Sequence, residues 1–138
     1  MRRVVVTGMG AITPVGNDID TMWANMLAGV NGVEKITSFD TSDLKVHLAG
    51  TVKNFEPEKY IEKRELRKLD IYCQYAIAAA QQAVDDSGIL GNINEERFGV
   101  YIGAGIGGLH SFVNNVTALN EGGPRKVSPF FIPMMIGN

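Results

Sequence analysis

One cysteine, two histidines and one tryptophan in 138 residues leave several kinds of chemistry without material. The lone Cys73 excludes an internal disulfide. With only His47 and His110 beside it, there is no Cys/His constellation at metal-ligand spacing. These scarcities point to a reducing compartment and to no metal. Net charge is scarce too: 13 Lys and Arg against 15 Asp and Glu give −2, with a pI near 5.6. That balance argues against a general nucleic-acid-binding surface and makes any electrostatic function local. No hydrophobic run reaches the length of a membrane span. Met1-Arg2-Arg3 before Val4-Val5-Val6 has the start of a signal peptide, but Thr7-Gly8-Met9-Gly10 ends the apolar run too early. The expectation is a cytoplasmic protein that meets neither nucleic acid nor membrane.

What is present is a chain of 45% apolar and 20% charged residues, the composition of one globular domain with a core. Its organising stretch is Phe98 to Leu109. Phe98, Val100, Tyr101 and Ile102 suit a buried strand, which breaks into Gly103, Gly105, Gly107 and Gly108 before a helix from about Leu109 to Leu119. Strand, glycine turn and helix also begin a dinucleotide-binding unit, and Glu121 stands where the ribose-binding acid would. That reading needs a second strand to carry the acid, and Gly122-Gly123-Pro124 follows instead.

Earlier in the chain, Arg3 to Thr7 reads as a first strand, central in its sheet because it is continuous in β-branched residues. Gly8 and Gly10 read as tight turn packing, since Pro14 biases Thr13 away from helix. Asp18 or Asp20 caps a helix that places Ile19, Met22, Trp23, Met26 and Leu27 on one face, with Trp23 in the core, and Gly29 supplies a left-handed stop. Leu44, Val46 and Leu48 alternate as a short strand whose wet face holds His47. A long buried helix runs from about Lys63 to Asp86, with small residues Ala76, Ala78, Ala79, Ala80 and Ala83 allowing close approach and Gly88 closing it. Cys73 lies in its apolar stripe as a small hydrophobe.

Lys63, Arg64, Arg67 and Lys68 crowd the first turns of that helix, where the macrodipole disfavours cations. Two readings are open: a solvated face with pairs such as Glu65 with Lys68, or a docking patch for an anion. His110 follows Gly108 with no serine or cysteine paired to it, which suits a structural role. Arg125 to Pro133 reads as a stiff loop with an apolar tip. Pro133 then opens a new helix that Gly137-Asn138 cut short, so the sequence reads as ending inside an element.

Taken together, Val4-Val5-Val6-Thr7-Gly8-Met9-Gly10, Thr13-Pro14-Val15-Gly16, Phe39-Asp40-Thr41-Ser42, Arg67-Lys68-Leu69-Asp70, Asp86-Ser87-Gly88, Gly103 to Gly108 and Gly122 to Pro133 resemble the β-ketoacyl-[acyl-carrier-protein] synthases, most of all the elongating type II kind, synthase II. The resemblance covers essentially the whole chain, in order. It implies a thiolase-like fold of two similar halves stacked as α-β-α-β-α layers and paired into a homodimer, with residues 1–138 as the first part of the N-terminal half, before the nucleophile. It implies an acyltransferase of fatty acid synthesis. An acyl group moves from acyl carrier protein to a cysteine, malonyl-carrier protein is decarboxylated, and the carbanion joins the acyl thioester in a Claisen condensation.

The family's nucleophile lies in a Thr-Ala-Cys segment beyond the point matching Asn138, as do its two histidines. Neither Cys73, His47 nor His110 matches a catalytic position, so the chain by itself is expected to be inactive. Ile106 matches the deep end of the acyl pocket, where an aliphatic residue is compatible with a longer acyl chain. Phe131 matches an aromatic offered toward that pocket across the dimer interface. Lys63, Arg64, Arg67, Lys68, Arg125 and Lys126 match the basic surface that meets acidic carrier protein, which favours the docking reading. No cofactor is implied, the substrates arriving on the phosphopantetheine arm of the carrier protein. The alternative is a non-catalytic carrier-protein-binding or dimerisation module that kept the surface and lost the site.

Overall fold

A computed structural model describes residues 3–136 of the chain. The helices are α1 (Ile19–Leu27), α2 (Lys63–Leu66), α3 (Ile71–Ser87), α4 (Leu109–Gly122) and α5 (Phe131–Met135), and the strands are β1 (Val33–Lys35) and β2 (Leu48–Gly50). The chain divides into two compact units. One comprises the chain up to Glu56 with Ala79–Gly88, the other Pro57–Ala78 with the chain from Ile89 onward. Among the described residues the buried apolar side chains are Ile61 and Ala78, so much of the packing in each unit is made by half-buried groups.

In the first unit, Asp18 starts α1. Its carboxylate accepts from the Thr21 backbone N–H at 2.7 Å and from the Thr21 hydroxyl at 2.9 Å, and Gly29 closes the helix at φ 68°. Those two hydrogen bonds, the backbone one first, hold the Asp18 carboxyl below its ordinary value. The apolar face of α1 is not core: Trp23 is 56% exposed and Leu27 71%. The helix is fastened from its polar side instead, where the Asn25 amide donates to the Val15 carbonyl at 2.6 Å. Periodicity defines such a face without supplying the body that covers it.

The expected first strand is also absent. Residues 3–7 are irregular, and Val4, Val5 and Val6 are exposed, because no described segment pairs with them. The chain just beyond is anchored to the second half of α3. Met9 N–H donates to Asp86 Oδ2 at 2.9 Å and Ala11 N–H to Gln82 Oε1 at 3.0 Å. Gln82 in turn donates to the Asn17 carbonyl at 2.7 Å. Side chains at Gly8 and Gly10 would collide with the backbone carbonyls of Ala83 and Ala79. The close approach expected of the glycines and of the alanine stripe is thus one contact seen from two sides.

β1 and β2 pair antiparallel, Val33 with Gly50 and Lys35 with Leu48. The ladder begins at Leu48 rather than Leu44. Asp40 accepts from the Ser42 backbone and hydroxyl, both at 3.0 Å, and Leu44 N–H bonds the Thr41 carbonyl at 3.0 Å, which turns residues 40–44 out of the sheet. His47 is exposed, as expected, and its Nδ1 lies 3.1 Å from the Thr41 hydroxyl.

The expected helix from Lys63 to Asp86 is two helices, and Asp70, in the second unit, is the reason for the break. Its backbone carbonyl accepts from Cys73 and Gln74, and its Oδ1 from the Tyr72 N–H at 3.4 Å, so the side chain opens α3 as a cap. Its other oxygen reaches α4, accepting from the Ser111 N–H at 3.1 Å and from the Ser111 hydroxyl. Asp70 is 5% exposed and Ser111 4%. From there Asn115 donates to the Ser111 carbonyl at 2.8 Å and accepts from the Ser128 N–H at 2.7 Å, while the Ser128 hydroxyl accepts from the Phe130 N–H at 3.1 Å.

α5 begins at Phe131, two residues ahead of the expected Pro133, which still lies in the first turn where its missing N–H costs nothing. The ring of Phe131 lies 6.3 Å from that of Phe112 on α4. The stretch Phe98 to Ile102 forms no strand here. Tyr101 is fully exposed and Val100 74% exposed, for lack of a pairing neighbour among the described residues.

Two outcomes test this description by urea denaturation of the chain. Gly10→Ala costs about 1–3 kcal/mol, since the clash is with backbone that has no rotamer to yield, whereas Gly103→Ala, with open space around it, stays within about 0.5 kcal/mol of the parent. Asp18→Ala costs about 1 kcal/mol near neutral pH. Because the folded-state value of Asp18 lies below its unfolded one, that contribution is complete above the ordinary carboxylate range and is lost as pH falls through the folded value. Parent and variant should therefore converge in acid.

Candidate functional site

The glycine turn delivers Ile106 to a cavity of about 280 Å³ lined by Tyr72, Ile102, Ala104, Ile106, Gly107, Met135 and Ile136. Three elements build it. Gly107, at φ 84°, and Gly108 let the turn lie against the end of α5, where a side chain at either position would press on the carbonyls of Met135 and Met134. Gly108 N–H donates to the Met135 carbonyl at 3.3 Å, and the Tyr72 hydroxyl reaches the same oxygen at 3.5 Å. That hydroxyl is pushed up to about 12 by its Cys73 neighbour first, then by burial and the charge of Asp70, so it stays a neutral donor across the working pH range. Ile106 itself is 76% exposed, at the open side. Gly103 and Gly105 meet nothing close, so only the second half of the glycine run is bound by packing.

Phe131, the other expected pocket residue, does not line this cavity. It packs on Phe112, and its link to the cavity is along α5, one turn from Met135. The two pocket residues thus belong to neighbouring parts of one unit without sharing a wall.

The basic residues lie in the same unit. Lys63 and Arg64 are exposed on α2, and the Arg64 Nε meets Glu62 at 2.8 Å and Glu65 at 3.8 Å. Lys68 grips both oxygens of Glu65, at 2.8 and 3.0 Å, and stands 6.0 Å over the ring of Phe130. The bond from Lys68, more than any other influence, holds the Glu65 carboxyl below its ordinary value. Arg67 is exposed at the end of α2, and Arg125 and Lys126 are exposed on the 3-10 turn Pro124–Lys126 after α4. The pairing expected of a solvated face is therefore real at Glu65 and Lys68. Arg67, Arg125 and Lys126 still present charge to solvent.

In the second unit, Asp70, Ser111 and Asn115 are the buried polar residues that sequence reasoning passed over. The available signal was an Asp placed just before an apolar helical pattern, the position of a helix cap.

The same residues bear on the dinucleotide alternative. Three of the first N–H groups of α4 are committed, Gly108 to the Met135 carbonyl, Leu109 to the Gly107 carbonyl and Ser111 to Asp70, and a carboxylate already stands where a pyrophosphate would need to lie. No group of three or more metal-ligating side chains occurs among the described residues. No helix of the described chain is long and apolar enough to cross a membrane.

Comparison with known proteins puts this architecture in context. The chain is 53% identical over 138 residues to 3-oxoacyl-[acyl-carrier-protein] synthase 2 of Staphylococcus aureus (strain COL), covering 98% of the chain and 33% of that protein. It is 51% identical to the protein of the same name from Vibrio cholerae, covering 99% of the chain and 33% of the relative. It therefore spans about a third of the length of these curated relatives.

Among solved structures it superposes on the ishigamide ketosynthase/chain length factor with a TM-score of 0.79 at 32% identity, covering 98% of the chain and 34% of that structure. A complex described as a type II PKS acyl-carrier protein with its ketosynthase bound to the hexaketide gives 0.76 at 27% identity, covering 96% and 34%. The thiolase-like fold class expected from the sequence is the fold of these neighbours, of which the chain matches one third. A family model described as the N-terminal domain of beta-ketoacyl synthase matches residues 1–138. A glycine turn packed on α5, a cavity under Ile106 and a match that runs from the first residue to the last have one common source: the chain belongs to the β-ketoacyl synthase family.

Proposed function

We propose that this chain is the pocket-building and carrier-docking portion of a 3-oxoacyl-[acyl-carrier-protein] synthase, an enzyme that lengthens acyl chains by decarboxylative Claisen condensation with malonyl-acyl carrier protein. The observation that carries the reading is half identity to two synthases of that name along almost the entire chain. In this reading the nucleophilic cysteine and the two histidines belong to the part of the enzyme matched beyond Asn138, and residues 1–138 are its N-terminal portion. The intact protein works as a cytoplasmic homodimer without a cofactor, its substrates carried on phosphopantetheine.

Ile106 supports the deep end of the acyl pocket, as its place in the cavity wall suggests. Phe131 contributes toward that pocket across the dimer interface. Lys63, Arg64, Arg67, Lys68, Arg125 and Lys126 meet the acidic carrier protein. Exposed contacts of this kind are worth about 0.2–1 kcal/mol each and weaken with salt, so they steer and orient the carrier more than they grip it.

Three outcomes follow. The chain alone shows no condensation of acyl and malonyl thioesters, whereas the intact synthase does; turnover by the isolated chain would overturn the reading. In the intact enzyme Ile106→Phe lowers kcat/KM for long acyl donors about 5- to 150-fold through overpacking of about 1–3 kcal/mol, with short donors affected much less. Reversal of Arg67 and Lys68 to Glu raises KM for the carrier-bound substrate, most strongly at low ionic strength, and leaves kcat near that of the parent.

A further inference from the structure

We infer that Asp70 is a positioning residue for the acyl pocket, holding the walls around Ile106 and Met135 through the start of α4; the inference rests on the acyl-pocket reading above. Two routes through Ser111, and one through Tyr72, lead from its carboxylate to the cavity. By the first, Oδ2 holds the Ser111 N–H and hydroxyl in the opening turn of α4. That turn directly follows Gly108, whose N–H is bonded to the Met135 carbonyl, and Gly107 and Ile106, which line the cavity. By the second, the Ser111 carbonyl accepts from Asn115, Asn115 accepts from the Ser128 N–H, and the Ser128 hydroxyl accepts from the N–H of Phe130, the residue just ahead of α5. α5 ends at Met135, so both routes meet on one wall. Oδ1 adds a third hold on the cavity, accepting from the N–H of Tyr72, whose hydroxyl reaches the Met135 carbonyl.

The first three members of this chain are buried, Asp70 at 5%, Ser111 at 4% and Asn115 at 9% exposure, while Ser128 is half-buried and Phe130 exposed. A buried carboxylate leaves its donors unsatisfied when removed, and the elements it joins then lose their mutual placement. Displacement of a pocket wall acts on the part of the substrate that touches it. Long acyl chains reach the Ile106 end, whereas short ones do not.

The test is the ratio of kcat/KM for long over short acyl donors in the intact synthase, measured for Asp70→Asn, Ser111→Ala, Ser111→Thr and Ile106→Phe. Asp70→Asn is expected to lower the ratio about tenfold, Ser111→Ala about threefold, and Ser111→Thr, which keeps the hydroxyl, to stay near the parent. A purely structural role would reduce active enzyme and both substrates alike, leaving the ratio unchanged in Asp70→Asn and Ser111→Ala; that result overturns the inference. If Asp70→Asn does not fold, Ser111→Ala against Ser111→Thr decides alone. Should Ile106→Phe also leave the ratio unchanged, the acyl-pocket reading falls and the inference with it. A response to Ile106→Phe without one to Asp70→Asn or Ser111→Ala removes the inference and spares the pocket.

Discussion

The second unit depends on a carboxylate placed between two helix starts. Asp70 caps α3 within its own chain segment and accepts at the third residue of α4, forty-one positions later. Helix N-termini carry unsatisfied N–H groups and a partial positive charge, so one anion serves both. The neighbouring residue types follow from this arrangement. Gly108 at the start of α4 has no side chain to cap with, and its bareness admits the α5 carbonyls instead. Ser111 brings two donors to one oxygen, and Asn115 passes the fixed position on to Ser128. A continuous helix from Lys63 onward would bury this carboxylate without its second partner, which is why the pattern of apolar residues alone misjudges the stretch.

What the sequence made legible was local. Caps and left-handed stops depend on a few consecutive residues, so Asp18, Gly29 and Gly88 do in the structure what their types suggest. α4 likewise follows its own periodicity. Strands fared otherwise, because a strand exists only beside another. Val4 to Val6 and Phe98 to Ile102 have strand composition but no ladder partner among the described residues, and they stand exposed. At Leu44 a turn held by Asp40 won over an alternating pattern, and Trp23 showed that an apolar helix face need not be a covered one.

The site divides in the same way. Ile106 was found through a resemblance that spans the chain, and the structure gives it a cavity wall; its exposure reflects how open that wall is. Phe131 was identified by the same resemblance yet sits on Phe112, away from the cavity wall. The basic residues were visible as a run against the helix dipole. Their internal pairing, Lys68 with Glu65 and with the Phe130 ring, required coordinates. The polar chain from Asp70 to Ser128 is not legible in the sequence because its members are distant along it and individually ordinary.

The anchoring of the chain near Met9 to α3 has its own geometric logic. Acceptors at Gln82 and Asp86 are four residues apart on a helix, a rise of about 6 Å, and the donors at Met9 and Ala11 are two residues apart, about 6.6 Å in an extended chain. The two repeats nearly coincide, so a helix can offer a passing segment the spacing of a neighbouring strand, here in antiparallel sense. Because the matching positions on the helix are side chains, the choice of residue at 82 and 86 decides whether this surrogate edge exists. A slip of the segment by one residue along the same path would bring Met9 and Ala11 to the places of Gly8 and Gly10, where a side chain collides with the helix backbone. Register in this part of the fold is therefore written on a helix.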